Sequence, residues 1–135
     1  MAEDPAPDAP LPNAVLRALF ERLPFGVSVL RASPDGDQRK LTFVSANPQA
    51  SRESRMDLGQ IRGLTVAQAF PDGADGPIPA AWQAAVDTDE LQHMAEIPYG
   101  DARHPDGWFR TYGVPLADGH VASVYQNITA EKRAR

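Results

Sequence analysis

Histidine is the residue type of this chain best suited to proton transfer and metal binding, since neutral imidazole is a common metal ligand. The chain has three, and no two of them show the short spacing of a zinc site. They are His93, His104 and His120. We therefore predict no metal site and interpret the three as solvent-accessible histidines of strands and loops.

The serine residues lack the sequence context of an activated nucleophile. None lies in a G-x-S-x-G sequence, which places a serine on a sharp turn between a strand and a helix. The serines considered are Ser28, Ser45, Ser51 and Ser54. The chain has no cysteine, which excludes disulfides, thiolate metal sites and catalytic thiols. We predict no catalytic residue.

Charge is distributed unevenly along the 135 residues, whose formal net charge is −5. The first twelve residues hold three acids without a base, and no Lys or Arg lies between Arg62 and Arg103. A nucleic-acid-binding domain needs a basic face. We therefore predict no nucleic-acid partner.

Hydropathy indicates neither a membrane span nor a secretion signal. No apolar run approaches the roughly 20 residues that cross a bilayer. The N-terminus lacks the basic and apolar regions of a signal peptide. We predict one cytoplasmic domain without membrane contact, of a length that supports a modest core.

The elements that must position the candidate residues begin with a tail and a helix. Residues 1–12 are rich in proline and acid and predict an extended tail. Residues 13–23 predict an amphipathic helix, with Asn13 as its N-cap and Pro24 beyond its end. The apolar stripe of this helix is formed by Leu16, Leu19, Phe20 and Leu23.

Strands flank a central group of helices. FGVSVLRA and KLTFVSAN predict a hairpin, and LQHMAEIPY, WFRTYGVPL and HVASVYQNI predict three later strands. We predict a polar loop at residues 100–107 between the third and fourth strands, and an Asp118-Gly119 turn before the fifth.

Capping residues mark the helices between the two groups of strands. Asn47 with Pro48 predicts a helix start, and Asp57 predicts a short capped turn. Thr65 and Gln68 predict a capping box. The segment IPAAWQAAVDTDE then predicts a longer helix that lies on the sheet.

In this order the elements resemble the PAS sensor domains of bacterial signalling proteins, over roughly Leu16 to Arg135. The resemblance is carried by LPFGVSVL, FVSANPQA, IRGLTVAQAFP, GWFRTYGVPL and YQNITAEKR. It implies an α+β, PAS-like (profilin-like) fold, in which a five-stranded antiparallel sheet of order 2-1-5-4-3 carries short helices on one face. The PAS-type domain would span residues 24–129, after the N-terminal amphipathic helix, and residues 130–135 would begin an output helix or linker.

The resemblance also implies where a signal leaves the domain. In the family, an Asp-Ile-Thr motif followed by Glu and basic residues links the last strand to an output helix. Here Asn127 stands at the position of the acid, and Ile128 and Thr129 follow the pattern. Asn127 keeps the capacity to hydrogen-bond but carries no charge.

Cofactor branches of the family can be compared with the sequence. The photochemical flavin branch and the yellow-chromophore branch use a reactive cysteine, and the haem branch uses an axial histidine on the helix that IPAAWQAAVDT occupies. This chain has neither residue at those places. We expect no cysteinyl adduct and no haem. A ligand held without a covalent bond, flavin included, stays open.

Large apolar and aromatic side chains are candidates for lining a ligand pocket between the helices and the sheet, or for simply filling the core. The candidates are Phe43, Met56, Ile61, Phe70, Trp82, Val86, Tyr112 and Tyr125. Alternation leaves open which face of WFRTYGV points inward. Tyr112 shares one face with Trp108 and Arg110, whereas Phe109 and Thr111 share the other.

The resulting prediction is a sensory and dimerisation module of bacterial signal transduction, such as a two-component system, that is not itself an enzyme. It would bind a small ligand or a partner and relay a conformational bias to an attached or associated effector, a kinase or a cyclic-nucleotide enzyme. The stripe of the N-terminal helix would form a homodimer contact. Two alternatives stay open: a constitutive interaction module without a ligand, and a small standalone enzyme.

Overall fold

The computed structural model describes residues 10–101 and 104–134, and of residues 95–101 and 104–106 it describes the backbone. Most of the predicted tail at residues 1–12 lies outside this range. In chain order the elements are α1 (Asn13–Arg22), β1 (Gly26–Arg31), a 3-10 helix (Gln38–Lys40), β2 (Thr42–Ala46), α2 (Pro48–Ser54), a 3-10 helix (Leu58–Ile61), α3 (Val66–Ala69), α4 (Pro77–Thr88), β3 (Gln92–Asp101), β4 (His104–Pro115), β5 (His120–Asn127) and α5 (Thr129–Ala134).

The five strands form one antiparallel sheet in the order β2-β1-β5-β4-β3. This confirms the predicted α+β fold and its strand order. The first strand and the last strand pair at the centre of the sheet, where Ser28 lies opposite Ser123. The chain therefore leaves the sheet beside the strand on which it entered.

The hairpin of β3 and β4 is longer than predicted. Residues 100, 101 and 104–107 of the predicted polar loop lie in strands, and Asp101 pairs with His104. Polar composition misled the prediction because a β-ladder is held by backbone groups and does not require apolar side chains. Pro98 is tolerated within β3 because β3 is an edge strand.

Side-chain caps define most of the helix starts that the sequence predicts. Asn47, Asp57 and Thr65 each accept a hydrogen bond from a backbone N–H of the first turn, as predicted. The prediction for Asn13 was wrong: Asn13 is the first helical residue, and Pro12 occupies the cap position without a side-chain bond. Pro12 leaves only its backbone carbonyl to start the helix, since its ring provides no hydrogen-bonding group.

The core lies on the inner face of the sheet under the helices. Its fully buried residues include Leu30, Leu41 and Val121, and Trp82 and Ala85 of α4 pack against them. Helix α4 contacts β3, β4 and β5, which confirms the prediction that this helix lies on the sheet. None of the helices in the described part of the chain is long and apolar enough to cross a bilayer.

Candidate functional site

A cavity of about 110 Å³ lies between the inner face of the sheet and the helices. Its wall is mostly apolar, with hydroxyl groups from the strands and from α2, and no charged side chain contributes to it. The lining residues are Ser28, Phe43, Ser54, Met56, Leu58, Ile61, Val66, Phe70, Gly73, Ile78, Pro79, Trp82, Phe109, Thr111, Ser123 and Tyr125.

Strand register explains why space remains at this place. Ser28 of β1 and Ser123 of β5 are direct neighbours across the sheet and both line the cavity. Gly113 of β4 continues this row, but there α4 lies close, since a Cβ atom on Gly113 would stand 3.4 Å from the Ala81 carbonyl oxygen. Small side chains in neighbouring positions fill little of the volume under the helices. In the adjacent row Tyr125 lies beside Gly26, and a Cβ atom on Gly26 would stand 2.9 Å from the Tyr125 ring.

The structure resolves which face of β4 points inward. Phe109 and Thr111 line the cavity, and Thr111 is buried. Trp108 is 36 % exposed on the opposite face, and the Tyr112 ring stacks on His93 with 4.6 Å between the ring centres. The inner face of β4 is therefore the one without Tyr112.

Six of the eight predicted pocket residues line the cavity, namely Phe43, Met56, Ile61, Phe70, Trp82 and Tyr125. Tyr112 does not, because its strand turns it to the outer face. Val86 does not either, because it packs, partly buried, against the core cluster from α4. The ligand-binding role of the six stays a prediction.

Ten lining residues escaped sequence reasoning. They are Ser28, Ser54, Leu58, Val66, Gly73, Ile78, Pro79, Phe109, Thr111 and Ser123. Strand alternation would have identified Phe109 and Thr111 once the inner face was known. Ser28 and Ser123 could only be found from the register of β1 against β5, which a single sequence does not contain.

Aromatic rings fix the shape of the cavity wall. The Trp82 ring meets the Phe43 ring edge-on, with 6.4 Å between ring centres and an angle of 84°. Phe43 also contacts Phe70 at 5.8 Å, and Phe109 meets Tyr125 at 6.3 Å. Such tilted and edge-on arrangements are favourable for rings with a negative face and a positive edge.

Among the residues that line the cavity, Tyr125 has a strongly shifted pKa. Burial raises the pKa of the Tyr125 phenol to about 12, against a usual value of 10. Its hydroxyl donates to the Ala50 carbonyl at 3.3 Å and lies 3.3 Å from the Ser28 hydroxyl. The phenol is therefore neutral and ties β5 to α2 and β1.

A second, more polar cleft of about 370 Å³ adjoins the cavity near α1. Ser28, Phe43, Leu58 and Ile61 contribute to both. These four residues therefore lie where the two spaces adjoin. Glu21 and Arg62 contribute charge to the cleft, in contrast to the uncharged cavity wall.

Asn47 joins three elements beside this cleft. Its Oδ1 atom accepts from Val27 N and Ala50 N, each at 2.9 Å. Its Nδ2 atom donates to the Phe20 carbonyl at 2.9 Å and to the Phe25 carbonyl at 3.0 Å. The buried amide thereby connects the end of α1, β1 and the start of α2, a role that its prediction as an N-cap covered only in part.

The predicted exit residues form one hydrogen-bonded corner with α2. Asn127 N donates to Glu53 Oε2 at 2.7 Å, and Asn127 Nδ2 donates to the Glu53 carbonyl at 3.1 Å. Asn127 Oδ1 accepts from Thr129 N at 3.0 Å and from Thr129 Oγ1 at 2.6 Å. Ile128 is buried below them. Asn127 therefore links the helix next to the cavity with the first residue of α5.

Helix α5 is held to the outer face of β4 by several side chains. Thr129 Oγ1 accepts from Trp108 N at 3.0 Å, and Lys132 Nζ lies 4.7 Å from the centre of the Trp108 ring. Arg110 and Glu131 form an ion pair at 3.6 Å. The side chains of the ion pair are partly exposed, so this pair contributes little stability alone.

The histidines and serines do not form a catalytic group among the described residues. His93 stacks on Tyr112, and His120 Nδ1 lies 3.1 Å from the carbonyls of Ala117 and Asp118. His104 lies at the start of β4. Within the described residues no cluster of three His, Asp or Glu side chains is arranged to hold a metal ion.

Comparison with known proteins agrees with this architecture. The family model of the PAS fold matches residues 20–133, so the chain belongs to the PAS family. No curated protein matches the chain.

Solved structures show the same fold at low sequence identity. A domain of a sensory box sensor histidine kinase/response regulator from Geobacter sulfurreducens is 18 % identical, with a TM-score of 0.61, over 84 % of this chain and 91 % of that one. The PAS domain of a protein from Colwellia psychrerythraea is 15 % identical, with a TM-score of 0.63, over 87 % and 97 %. A sensory box sensor histidine kinase from Vibrio cholerae is 18 % identical, with a TM-score of 0.57, over 86 % and 90 %.

Proposed function

We propose that this PAS domain is a sensory module that binds a small ligand in the cavity and relays its occupancy to an effector through α5. The observation that carries the proposal is that α2 contacts both the cavity and the corner at Asn127 where α5 begins. Ser54 and Met56 line the cavity, and Glu53, directly before them, bonds to Asn127 at the base of α5.

The relay rests on the position of α2. A ligand that displaces Ser54 or Met56 would move the end of α2, and Glu53 would move with it. Asn127 would then lose or tighten its two bonds to Glu53. Thr129 would respond because two of its three hydrogen bonds end on Asn127, whereas the third comes from Trp108 N. A ligand shifts such an equilibrium only by its difference in affinity for the two arrangements, about 1 to 3 kcal/mol in typical coupled sites.

The proposed effector is a kinase or a cyclic-nucleotide enzyme, attached to this domain or bound by it. The similar domains from sensor histidine kinases support the kinase of these two. The domain itself is proposed to be non-catalytic. The cavity wall contains no His, Asp, Glu, Lys or Arg side chain. It therefore lacks the residues that most often act as general acid or general base in a hydrolase.

The test is native mass spectrometry of the protein purified from its own host, compared with its denatured mass. The expected result is a stoichiometric extra mass that is released on denaturation. Met56→Trp, which fills the cavity, should abolish it, whereas Leu116→Trp, at an exposed position away from the cavity, should retain it. A bare protein, or an extra mass retained by Met56→Trp, would favour the interaction module over the sensor.

A further inference from the structure

The Trp82 indole contains a buried donor that the protein leaves unused. Trp82 is 8 % exposed and lines the cavity, and its Nε1 atom has no hydrogen-bond partner among the described residues. Indole N–H is a donor only, and buried donors in native proteins nearly always have a partner. A hydrogen-bond acceptor for Trp82 Nε1 would therefore have to come from a molecule outside the chain.

Three of the five hydroxyl groups in the wall are already engaged. The Tyr125 hydroxyl donates to the Ala50 carbonyl, and the Ser28 hydroxyl lies beside it at 3.3 Å. The Ser54 hydroxyl donates to the Ser51 carbonyl. Trp82 differs from these three residues because its donor is buried without a partner, while its ring packs edge-on against Phe43.

The size and charge of the cavity limit what could supply the acceptor. A volume of about 110 Å³ is close to that of a cavity that holds benzene, roughly 150 Å³. It is well below the roughly 300 Å³ at which drug-sized ligands begin. No charged side chain lines it, so an ion would be buried without a counter-charge.

From these observations we propose that the ligand is a compact, uncharged, mainly apolar molecule of about one ring, and that it carries a hydrogen-bond acceptor for Trp82 Nε1. This inference rests on the proposed sensory function and specifies the ligand class of the same cavity. A flavin or a haem is larger than this cavity in its present shape, so neither belongs to the ligand class that we propose.

Two probes of equal shape test the acceptor. Benzonitrile carries an acceptor nitrogen, and phenylacetylene has a C–H group in its place. The chain has two tryptophans, so the indole N–H region of a ¹⁵N-labelled sample holds two resonances, which Trp108→Phe assigns. The expected result is a downfield shift of the Trp82 indole proton with benzonitrile that phenylacetylene does not produce, while the Trp108 resonance stays in place.

Affinities give a second readout. The preference for benzonitrile over phenylacetylene should fall by about 3- to 10-fold in Trp82→Phe and be unchanged in Trp108→Phe, as expected for one neutral hydrogen bond. If both probes shift Thr111 and Ser123 but neither readout distinguishes them, the acceptor inference is overturned and the proposed function stands. If neither probe binds, the inferred ligand class is overturned, whereas the proposed function is decided by the native mass measurement. Benzoate binding as tightly as benzonitrile would overturn the claim that the ligand is uncharged.

Discussion

Asn127 is an uncharged residue whose amide makes hydrogen bonds to both Glu53 and Thr129. An acid at this position would place a carboxylate oxygen against the Glu53 carbonyl, where Asn127 Nδ2 now donates at 3.1 Å. The Glu53 carboxylate is also close, since it accepts from Asn127 N. The amide suits this corner because it accepts from Thr129 on one side and donates to Glu53 on the other.

Tyr125 should make stability depend on pH in the alkaline range. Its folded-state pKa of about 12 lies above the usual 10, so its contribution is fully present below pH 10 and is lost as the pH rises towards 12. A shift of this size corresponds to about 2 to 3 kcal/mol. We expect the free energy of unfolding to fall less steeply with pH in Tyr125→Phe than in the unaltered protein.

Urea unfolding between pH 9 and pH 11 measures this slope. Tyr112→Phe is the matched control, because it removes the same hydroxyl from the outer face of the sheet. Equal slopes for Tyr125→Phe and the unaltered protein would show that burial of this phenol does not control alkaline stability.

At the scale of elements, Asn47 is predicted to hold α1, β1 and α2 in register. In Asn47→Asp a carboxylate oxygen would face the carbonyls of Phe20 and Phe25 in place of the amide donor. An uncompensated buried charge costs about 3 to 5 kcal/mol. Asn47→Ser keeps a capping oxygen and should lose less. Chemical denaturation of the two variants tests this, and equal stability of Asp and Ser at position 47 would contradict it.

Sequence reasoning succeeded for elements whose signals are local. The caps at Asn47, Asp57 and Thr65 need only neighbouring residues, and the strand order followed from a resemblance that many short segments support together. The extension of β4 to His104 was missed because polar residues can belong to a ladder. The cavity was located in part, since its aromatic wall is visible in composition. The row Ser28, Ser123 and Gly113 depends on register between distant strands.

At the scale of the whole molecule, α1 presents an apolar stripe that its own domain covers only in part. Leu16 is 47 % and Leu19 is 54 % exposed, and none of the residues in α1 is buried. The homodimer contact through Leu16, Leu19, Phe20 and Leu23 stays a proposal. Phe20 and Leu23 are partly buried, so they also serve the attachment of the helix.

Leu16→Asp combined with Leu19→Asp is expected to yield a folded monomer. Both side chains are exposed in the single chain, so the substitutions remove contacts between copies and leave the fold intact. Arg17→Asp is the control, because it changes the net charge by the same amount on the polar side of α1. Light scattering with circular dichroism decides the matter, and a folded double variant that stays dimeric would remove α1 from the interface.

The central claim is that occupancy of the cavity reaches α5 through Asn127. Hydrogen exchange of the Asn127 and Thr129 backbone amides, measured by NMR with and without saturating benzonitrile, tests it most directly. The account predicts a change of about five-fold or more at both amides, the scale of a coupled site, and a smaller change in Asn127→Asp. Benzonitrile that shifts Thr111 and Ser123 while both exchange rates stay the same would contradict it.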